Sequence, residues 1–208
     1  MKTLLLTSSG MQIKNEILKI LPKPANQLKL AHVITASKPE ADTTYRDRDT
    51  KLLREVGFQA VEIDIEGRSE KELREILHDF DILYVQGGNT FYLLKAVKES
   101  GFGAVIKEFI NQGKIYIGVS AGSIIMGPTI ETANWKGIDK NDVGLEDLTA
   151  MNIIPFAIFP HYDSGYEELV KQEAPRAKNP ARLLTDDQAF LVQDDKITLL
   201  GKGEEIRL

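Results

Sequence analysis

The sequence contains no cysteine, only three histidines and no excess of basic side chains. The absence of cysteine excludes disulfide bonds, thiolate metal ligands and a cysteine nucleophile. The 26 lysines and arginines are outnumbered by 31 aspartates and glutamates, which gives a net charge of −5. Proteins that bind nucleic acid electrostatically usually present a basic face. Nucleic acid is therefore not an expected partner of this chain.

Long apolar runs are also missing. Near the N-terminus the apolar run is limited to Leu4–Leu6, which is too short for a secretion signal, and no small-x-small cleavage site follows it. No stretch approaches the roughly 18 to 20 apolar residues that span a bilayer. These features predict a soluble, cytoplasmic protein with no membrane partner. The length of 208 residues is enough to bury a sizeable core and suits one domain over residues 1–208.

Short apolar runs alternate with amphipathic stretches along most of the chain. The runs at 30–34, 82–85 and 115–119 are apolar almost throughout, as expected for parallel strands covered on both faces. The predicted strands of this part are Lys2–Thr7, Leu28–Thr35, Ala60–Asp64, Ile82–Val85 and Lys114–Val119. Helical patterns lie between them. The alternation predicts an α/β fold, with a doubly wound, mostly parallel sheet and helices on both faces.

The pattern changes in the last third of the chain. Residues 131–152 are polar and turn-rich, and they predict a long loop with one helical turn at most. A strand at Ala157–Pro160 and a helix over about 163–173 are predicted next. The final runs, Ala189–Gln193 and Lys196–Gly201, predict a hairpin at the edge of the sheet.

Three helix starts carry the S-x-x-E/Q pattern of a capping box, in which a serine oxygen accepts from a free helix N–H group. The patterns begin at Ser9, Ser69 and Ser164. Each of them predicts the first turn of a helix.

The strongest functional signal is the segment 118–122, which reads Gly-Val-Ser-Ala-Gly. An apolar strand runs into this G-x-S-x-G pattern and a helical stretch follows it, which is the context of a nucleophile elbow. Small neighbours allow a sharp turn that lifts the hydroxyl of Ser120 above the sheet edge. The amide of Ala121 would then point toward an oxyanion. The alternative is a glycine-rich turn that serves tight packing only.

A second turn with two glycines, Gln86-Gly87-Gly88-Asn89, follows the predicted strand that ends at Val85. Asn89 can cap the next helix, and glycines at a strand end let a ligand approach the backbone closely. Gly88 is the candidate for a second oxyanion N–H group. A phosphate-binding turn is a weaker alternative, because G-x-G-x-x-G and a Walker lysine are both missing. A plain turn is the structural alternative.

One of the three histidines lies where it could serve as a base for Ser120. His32 is inside an apolar strand and is expected in the core, whereas His78 ends an amphipathic helix and is expected on the surface. His161 lies between a predicted strand and a predicted helix, at the sheet edge where ligands collect. An imidazole in that place is the candidate general base, and a solvated loop histidine is the alternative.

A histidine base needs a carboxylate that orients its ring. Asp186 and Asp187 lie just before a late strand, and either could accept the hydrogen bond. A solvated turn pair is the alternative. The resulting order of serine, histidine and acid differs from that of the α/β-hydrolases, which argues against a lipase or an esterase.

Together these motifs resemble the peptidase E family of serine peptidases, whose relatives include cyanophycinase. The resemblance rests on Val85–Thr90, Gly118–Ser123 and Pro160–Tyr162, and their order and separation agree across nearly the whole chain. It implies a doubly wound α/β fold similar to class I glutamine amidotransferases, with serine replacing their cysteine. It also implies a cytoplasmic dipeptidase that cleaves after an N-terminal aspartate and uses no metal or cofactor.

The resemblance also implies roles for single residues. Ser120 would be the nucleophile and His161 the base, and Gly88 and Ala121 would supply the oxyanion N–H groups. Cyanophycinase-like relatives use an acid after the histidine, and Asp186 matches that position best.

Two positions depart from the aspartyl dipeptidases that the sequence resembles. Trp135 stands where some members carry an acid after the nucleophile helix. Those members also carry an arginine after the histidine to pair with the substrate aspartate, whereas Lys171 is the only cation between His161 and Glu173. A lysine lacks the bidentate fork with which arginine binds a carboxylate.

The sequence therefore predicts a metal-independent serine-type exopeptidase that acts on short peptides, with N-terminal aspartyl dipeptides as the expected substrates. A cyanophycinase-like or isoaspartyl-type hydrolase with the same machinery is one alternative. A non-catalytic binding module on the same scaffold is the other. A monomer and a homodimer both suit a domain of this size.

Overall fold

A seven-stranded sheet forms the centre of the protein in the computed structural model, which describes residues 1–137 and 139–206. The strands are β1 (Thr3–Thr7), β2 (Lys29–Val33), β3 (Gln59–Ile63), β4 (Ile82–Val85), β5 (Ile115–Val119), β6 (Ala157–Phe159), β7 (Ala181–Leu183), β8 (Gln188–Gln193) and β9 (Lys196–Gly201). Their order in the sheet is β3-β2-β4-β5-β1-β8-β9. Strands β1 to β5 are parallel, and β8 and β9 extend the sheet by antiparallel pairing. Strands β6 and β7 form a separate parallel pair.

Helices cover both faces of this sheet. They are α1 (Lys14–Lys19), α2 (Thr44–Glu55), α3 (Glu70–Leu77), α4 (Thr90–Ser100), α5 (Phe102–Asn111), α6 (Ala121–Ile124), α7 (Thr132–Trp135) and α8 (Glu167–Glu173). Successive side chains of a strand point to opposite faces. Accordingly, Leu4 and Leu6 pack in the core that contains α3 to α6, whereas Leu5 packs in the core that contains α1 and α2. The predicted doubly wound, mostly parallel α/β fold is confirmed.

The strands predicted from apolar runs match the structure to within two residues at each end. The exception is β7, which the sequence does not predict. Its three residues, Ala-Arg-Leu, are too few to show a period, and the strand exists because it pairs with β6. In the polar segment 131–152, the helical turn of α7 agrees with the prediction, and Ile138 lies outside the described residues.

One of the three predicted capping boxes is present. The Ser69 hydroxyl accepts from the Glu72 amide, and the Ser69 amide donates to the Glu72 carboxylate. The other two predictions are wrong, because neither Ser9 nor Ser164 caps the turn beside it, and a preceding side chain accepts from another amide of that turn. Thr7 Oγ1 accepts from the Gly10 amide at 3.0 Å, so that Ser9 makes no cap. Asp163 accepts from the Gly165 amide at 2.7 Å in a short 3₁₀ turn that contains Ser164.

No helix in the part of the chain that the structure describes is both long enough and apolar enough to cross a membrane.

Tight packing fixes the start of α6 against the sheet. A Cβ atom at Gly122 would overlap the carbonyl oxygen of Val85 in β4, and one at Gly118 would lie 2.6 Å from the Gly122 oxygen. These neighbours are buried backbone atoms of β4 and α6, which cannot move aside easily. Glycine is therefore needed on both sides of Ser120.

We expect Gly122→Ala to lower the free energy of unfolding by about 1–3 kcal/mol, the usual cost of overpacking a core. Urea denaturation followed by circular dichroism measures this loss. Gly103→Ala in α5 is the matched control, because its new Cβ would meet only the flexible side chains of Met151 and Val97. Equal stability of the two variants would contradict the packing argument.

Candidate active site

Predicted site residues gather at one edge of the sheet, together with Ser8, which the sequence analysis does not name. Ser120 directly follows β5, Gly87 and Gly88 follow β4, and Ser8 follows β1. Because these strands are parallel neighbours, their carboxyl ends lie side by side at this edge. His161 comes two residues after β6, and it reaches the same edge from the smaller sheet.

Ser120 has a backbone conformation that is rare for residues other than glycine, with φ of 47° and ψ of −107°. Its amide donates to the Thr7 oxygen at 3.0 Å, and its own carbonyl accepts from the Ser123 and Ile124 amides at 2.8 and 2.9 Å. The chain thus turns sharply from strand into helix at this residue. This is the strained geometry of a nucleophile elbow.

The ring of His161 lies between Ser120 and Asp186. Its Nε2 is 3.0 Å from Ser120 Oγ, and its Nδ1 is 2.6 Å from Asp186 Oδ1. The hydrogen bond with His161 holds the pKa of Asp186 well below its usual range, so the carboxylate is ionised and can only accept. The proton of a neutral ring then sits on Nδ1, which leaves Nε2 to accept from the Ser120 hydroxyl.

The two adjacent aspartates have different surroundings. Asp187 contacts Gln12 Nε2 and Lys202 Nζ, both at 3.3 Å, and makes no hydrogen bond to the imidazole. Of the two candidates, the structure brings Asp186 to the ring of His161.

Ser8 also belongs to this cluster, although the sequence analysis does not name it. Its hydroxyl donates to Asp186 Oδ1 at 2.9 Å and accepts from the His161 amide at 2.8 Å. It therefore connects the carboxylate to the backbone of the histidine, whose φ of 54° is itself unusual. The available sequence signal is its place at the carboxyl end of the first strand.

Gly88 and Ala121 offer two unpaired backbone N–H groups beside Ser120. Neither amide donates a hydrogen bond to any residue that the structure describes. At Gly88, where φ is 136°, a Cβ would overlap the Ala36 carbonyl, and at Gly87 it would lie 3.1 Å from the Ser120 Cβ. Only glycine fits at Gly88. Two free donors next to a serine hydroxyl are the composition of an oxyanion hole.

His32 and His78 lie where the sequence predicts them. His32 is fully buried, its Nε2 is 2.9 Å from Gln86 Oε1, and burial lowers its pKa, so the ring stays neutral. Gln86 in turn donates to Asp49 at 3.4 Å. This buried chain of side chains supports the turn that carries Gly88. His78 is at the end of α3, with 84% of its side chain exposed.

Two cavities meet at Ser120. The larger has a volume of about 330 Å³ and extends under the Gly87 and Gly88 turn, and the smaller has about 160 Å³. Ser120, His161 and Asp139 line both. Ser120 thus lies where the two cavities meet.

A lysine that the sequence analysis does not single out lies in the smaller cavity. Lys136 Nζ donates to the carbonyl oxygens of Pro160 and His161 at 2.9 and 2.7 Å. It also lies 4.6 Å from the ring centroid of Phe159 and 4.1 Å from that of Tyr166, where cation–π attraction favours it. Burial lowers the pKa of Lys136 to about 8.

Lys171, the cation that the sequence analysis names after the histidine, does not line either cavity. It is exposed on α8 and pairs with Glu167 and Glu168 at 2.7 and 3.1 Å. The spacing along α8 explains this, because residues three and four apart share a helix face.

The profile of peptidase family S51 matches residues 4–200. The chain belongs to peptidase family S51. This membership agrees with the resemblance to peptidase E drawn from the three motifs, and it makes the protein a peptidase.

Similar proteins agree with the membership of this chain in family S51. An uncharacterized peptidase from Listeria monocytogenes is 35% identical over 167 residues, which are 79% of this chain and 80% of the relative. A peptidase E from Shewanella amazonensis is 32% identical over 159 residues, or 71% of this chain and 66% of the relative. A crystal structure from Listeria monocytogenes, provisionally named peptidase E, superposes with a TM-score of 0.87 and 29% identity over 98% of this chain and 100% of that one.

Proposed function

We propose that this S51 peptidase is a serine-type exopeptidase that hydrolyses short peptides, in particular dipeptides that begin with aspartate. The observation that carries the proposal is the geometry around His161. Its two ring nitrogens lie 3.0 Å from the Ser120 hydroxyl and 2.6 Å from the Asp186 carboxylate. A hydroxyl, an imidazole and a carboxylate in this order form the general apparatus of acyl transfer.

In the proposed reaction, His161 Nε2 takes the proton of Ser120 as Oγ attacks the peptide carbonyl carbon. The carbonyl oxygen becomes an oxyanion, which the amides of Gly88 and Ala121 stabilise. The tetrahedral intermediate collapses as the C–N bond breaks, and His161 gives its proton to the departing amine. A water molecule then attacks the acyl-enzyme, again with His161 as base, and releases the acid and the free serine.

The position of Lys136 supports a substrate whose first residue has an acidic side chain. Lys136 is the only lysine or arginine among the described residues that line the smaller cavity, and Asp139 lies on the wall that this cavity shares with the larger one. Most of the other side chains there are apolar, such as Ile124 and Phe159. A substrate carboxylate that enters this cavity could pair with the ammonium group of Lys136, on the side away from Asp139. Hydrogen bonds to charged groups contribute about 1.5–3 kcal/mol, which is sufficient for strong preference among side chains.

We expect Lys136→Met to lower kcat/KM for Asp-Leu by about 10- to 100-fold, the equivalent of one charged hydrogen bond. Hydrolysis of Ala-Leu should change much less. Lys171→Met, which removes a surface lysine outside both cavities, is the control. An equal loss on both dipeptides would show that Lys136 only holds the backbone of His161 in place.

The same lysine predicts a pH dependence. Burial lowers the pKa of Lys136 to about 8 in the free protein, so its charge is present below that pH and is lost above it. The preference for Asp-Leu over Ala-Leu should therefore fall as the pH rises through about 8. The ratio of the two kcat/KM values, measured from pH 6 to pH 10 with wild type and Lys136→Met, checks this, because the variant should give a flat ratio.

A second candidate is an isoaspartyl-type or cyanophycinase-like hydrolase, and the position of Asp186 after the histidine favours it. The same machinery would then act on β-linked aspartyl peptides. A parallel assay of Asp-Leu and β-Asp-Leu separates the two. A higher kcat/KM for the β-linked peptide would replace the proposed substrate and keep the proposed chemistry.

A further inference from the structure

The larger cavity is more acidic than the smaller one, in which Lys136 balances the charge of Asp139. Three carboxylates line the larger cavity, from Glu40, Asp49 and Asp139, and one guanidinium, from Arg48. Burial raises the pKa of Glu40, and the negative charge of Asp139 raises it further. The carboxylates of Glu40 and Asp139 thus repel each other in the cavity beside Ser120. A positively charged group between them would relieve this repulsion and be stabilised.

The surroundings of Asp49 point independently to a missing partner. Its side chain is 1% exposed, and Oδ2 accepts from the Tyr84 hydroxyl at 2.7 Å and from Gln86 Nε2 at 3.4 Å. Its other oxygen, Oδ1, makes no hydrogen bond within the described residues, and Arg48 Nε is 3.6 Å away. The buried hydroxyl of Tyr45, in the same cavity wall, also has no partner there. Buried polar atoms nearly always have partners, so a polar ligand group is expected in this cavity.

Asp139 connects this acidic region to the reacting centre. It lines both cavities together with Ser120 and His161. Its Oδ2 accepts from the Thr90 amide at 3.0 Å, at the start of α4, which fixes the carboxylate in place. In a peptide, the amino group and the side chain branch from one carbon atom. If the side chain enters the smaller cavity, the amino group lies near the wall that the two cavities share.

We propose that Asp139 and Glu40 bind the free α-ammonium group of the substrate, so that the enzyme requires an unblocked N-terminus. The inference rests on the proposed function, because it places the acyl part of a peptide at Ser120. The same carboxylates could instead bind a basic side chain on the residue after the cleaved bond. The position of Asp139 on the wall shared with the smaller cavity favours the α-ammonium group.

The first test compares kcat/KM for aspartyl p-nitroanilide and its N-acetyl form. We expect the kcat/KM of wild type to be at least about 100-fold higher for the free amine, because the acetylated form would lose two hydrogen bonds to charged groups. Glu40→Gln and Asp139→Asn should each lower kcat/KM for the free amine about 10-fold or more and leave the acetylated substrate nearly unchanged. Asp142→Asn, an exposed aspartate near Asp139, is the control. Equal cleavage of both forms by wild type, or equal losses on both in the variants, would overturn the inference.

A second measurement does not need turnover. Calorimetric titration of Ser120→Ala with Asp-Leu, N-acetyl-Asp-Leu and Asp-Arg reports binding alone. We expect acetylation to weaken binding at least about 10-fold, and Glu40→Gln in this background to remove the difference. If Glu40→Gln weakens only Asp-Arg, the carboxylates bind a basic side chain and the inference is wrong. A protein that binds free amines selectively but cleaves no peptide would contradict the proposed function and not the ammonium site.

Discussion

Replacement of Ser120 with alanine is expected to reduce dipeptide hydrolysis by about 10⁴- to 10⁶-fold, the loss that serine hydrolases show without their nucleophile. The reason is chemical, since without Oγ no acyl-enzyme can form at the end of β5. Ser120 is held by backbone hydrogen bonds, and its Oγ interacts only with the ring of His161 in the described residues. The fold should therefore survive. Steady-state assays with Asp-Leu, together with circular dichroism, measure both effects.

Ser164→Ala, which removes an exposed hydroxyl from a 3₁₀ turn, should retain full activity. A fluorophosphonate reagent should label wild type at Ser120, and His161→Ala should suppress the labelling. Hydrolysis by Ser120→Ala at the parental rate would mean that another group carries the reaction. Peptide binding by wild type without labelling or turnover would instead favour the non-catalytic binding module.

The second large effect is expected for Asp186→Asn, with a fall in kcat of about 10³- to 10⁴-fold. Asp186 Oδ1 is 2.6 Å from His161 Nδ1. An asparagine can turn its NH₂ group to the ring, which favours the tautomer with the proton on Nε2. That nitrogen could then no longer accept the proton of Ser120. Single-turnover rates of acylation measure this step directly.

Asp187→Asn is the matched control, because it makes the same chemical change one residue away. Asp187 contacts Gln12 and Lys202 near the surface, so we expect activity within about threefold of wild type, as for surface substitutions generally. The reverse ranking would transfer the orienting role to Asp187.

The centre of the sheet could be predicted from sequence because strands such as β4 and β5 are buried on both faces. A strand such as Ile82–Val85 is apolar at each position, and its ends are marked by polar residues and glycines. Strand β7 could not be predicted, since its partner β6 is 20 or more residues away and its three residues carry no period. The false capping boxes at Ser9 and Ser164 have a similar cause. Thr7 and Asp163, which precede these serines, accept the amides of Gly10 and Gly165, and the local S-x-x-E/Q pattern does not show this.

The sequence also predicts some residues of the candidate site and misses others. Ser120 and Gly88 belong to local strand–turn–helix patterns, and His161 is the one histidine at a strand end, so sequence alone names them. The choice between Asp186 and Asp187 depends on the direction in which two consecutive side chains point, which no local pattern specifies. Lys136 gave no sequence signal, because it lies in a polar segment and reaches the smaller cavity only through contacts with residues 24 to 30 positions later.

Ser8 lies 153 residues before His161 and 178 before Asp186, and it touches both. Its strand, β1, is completed on one side by β5 and on the other by β8, which follows Asp186 in the chain. During translation, the ribosome must therefore produce the chain beyond Asp186 and through β8 before the carboxylate is held against the imidazole. A shorter nascent chain would be unable to digest peptides, and the competence to do so would arise only once β8 has emerged and paired with β1.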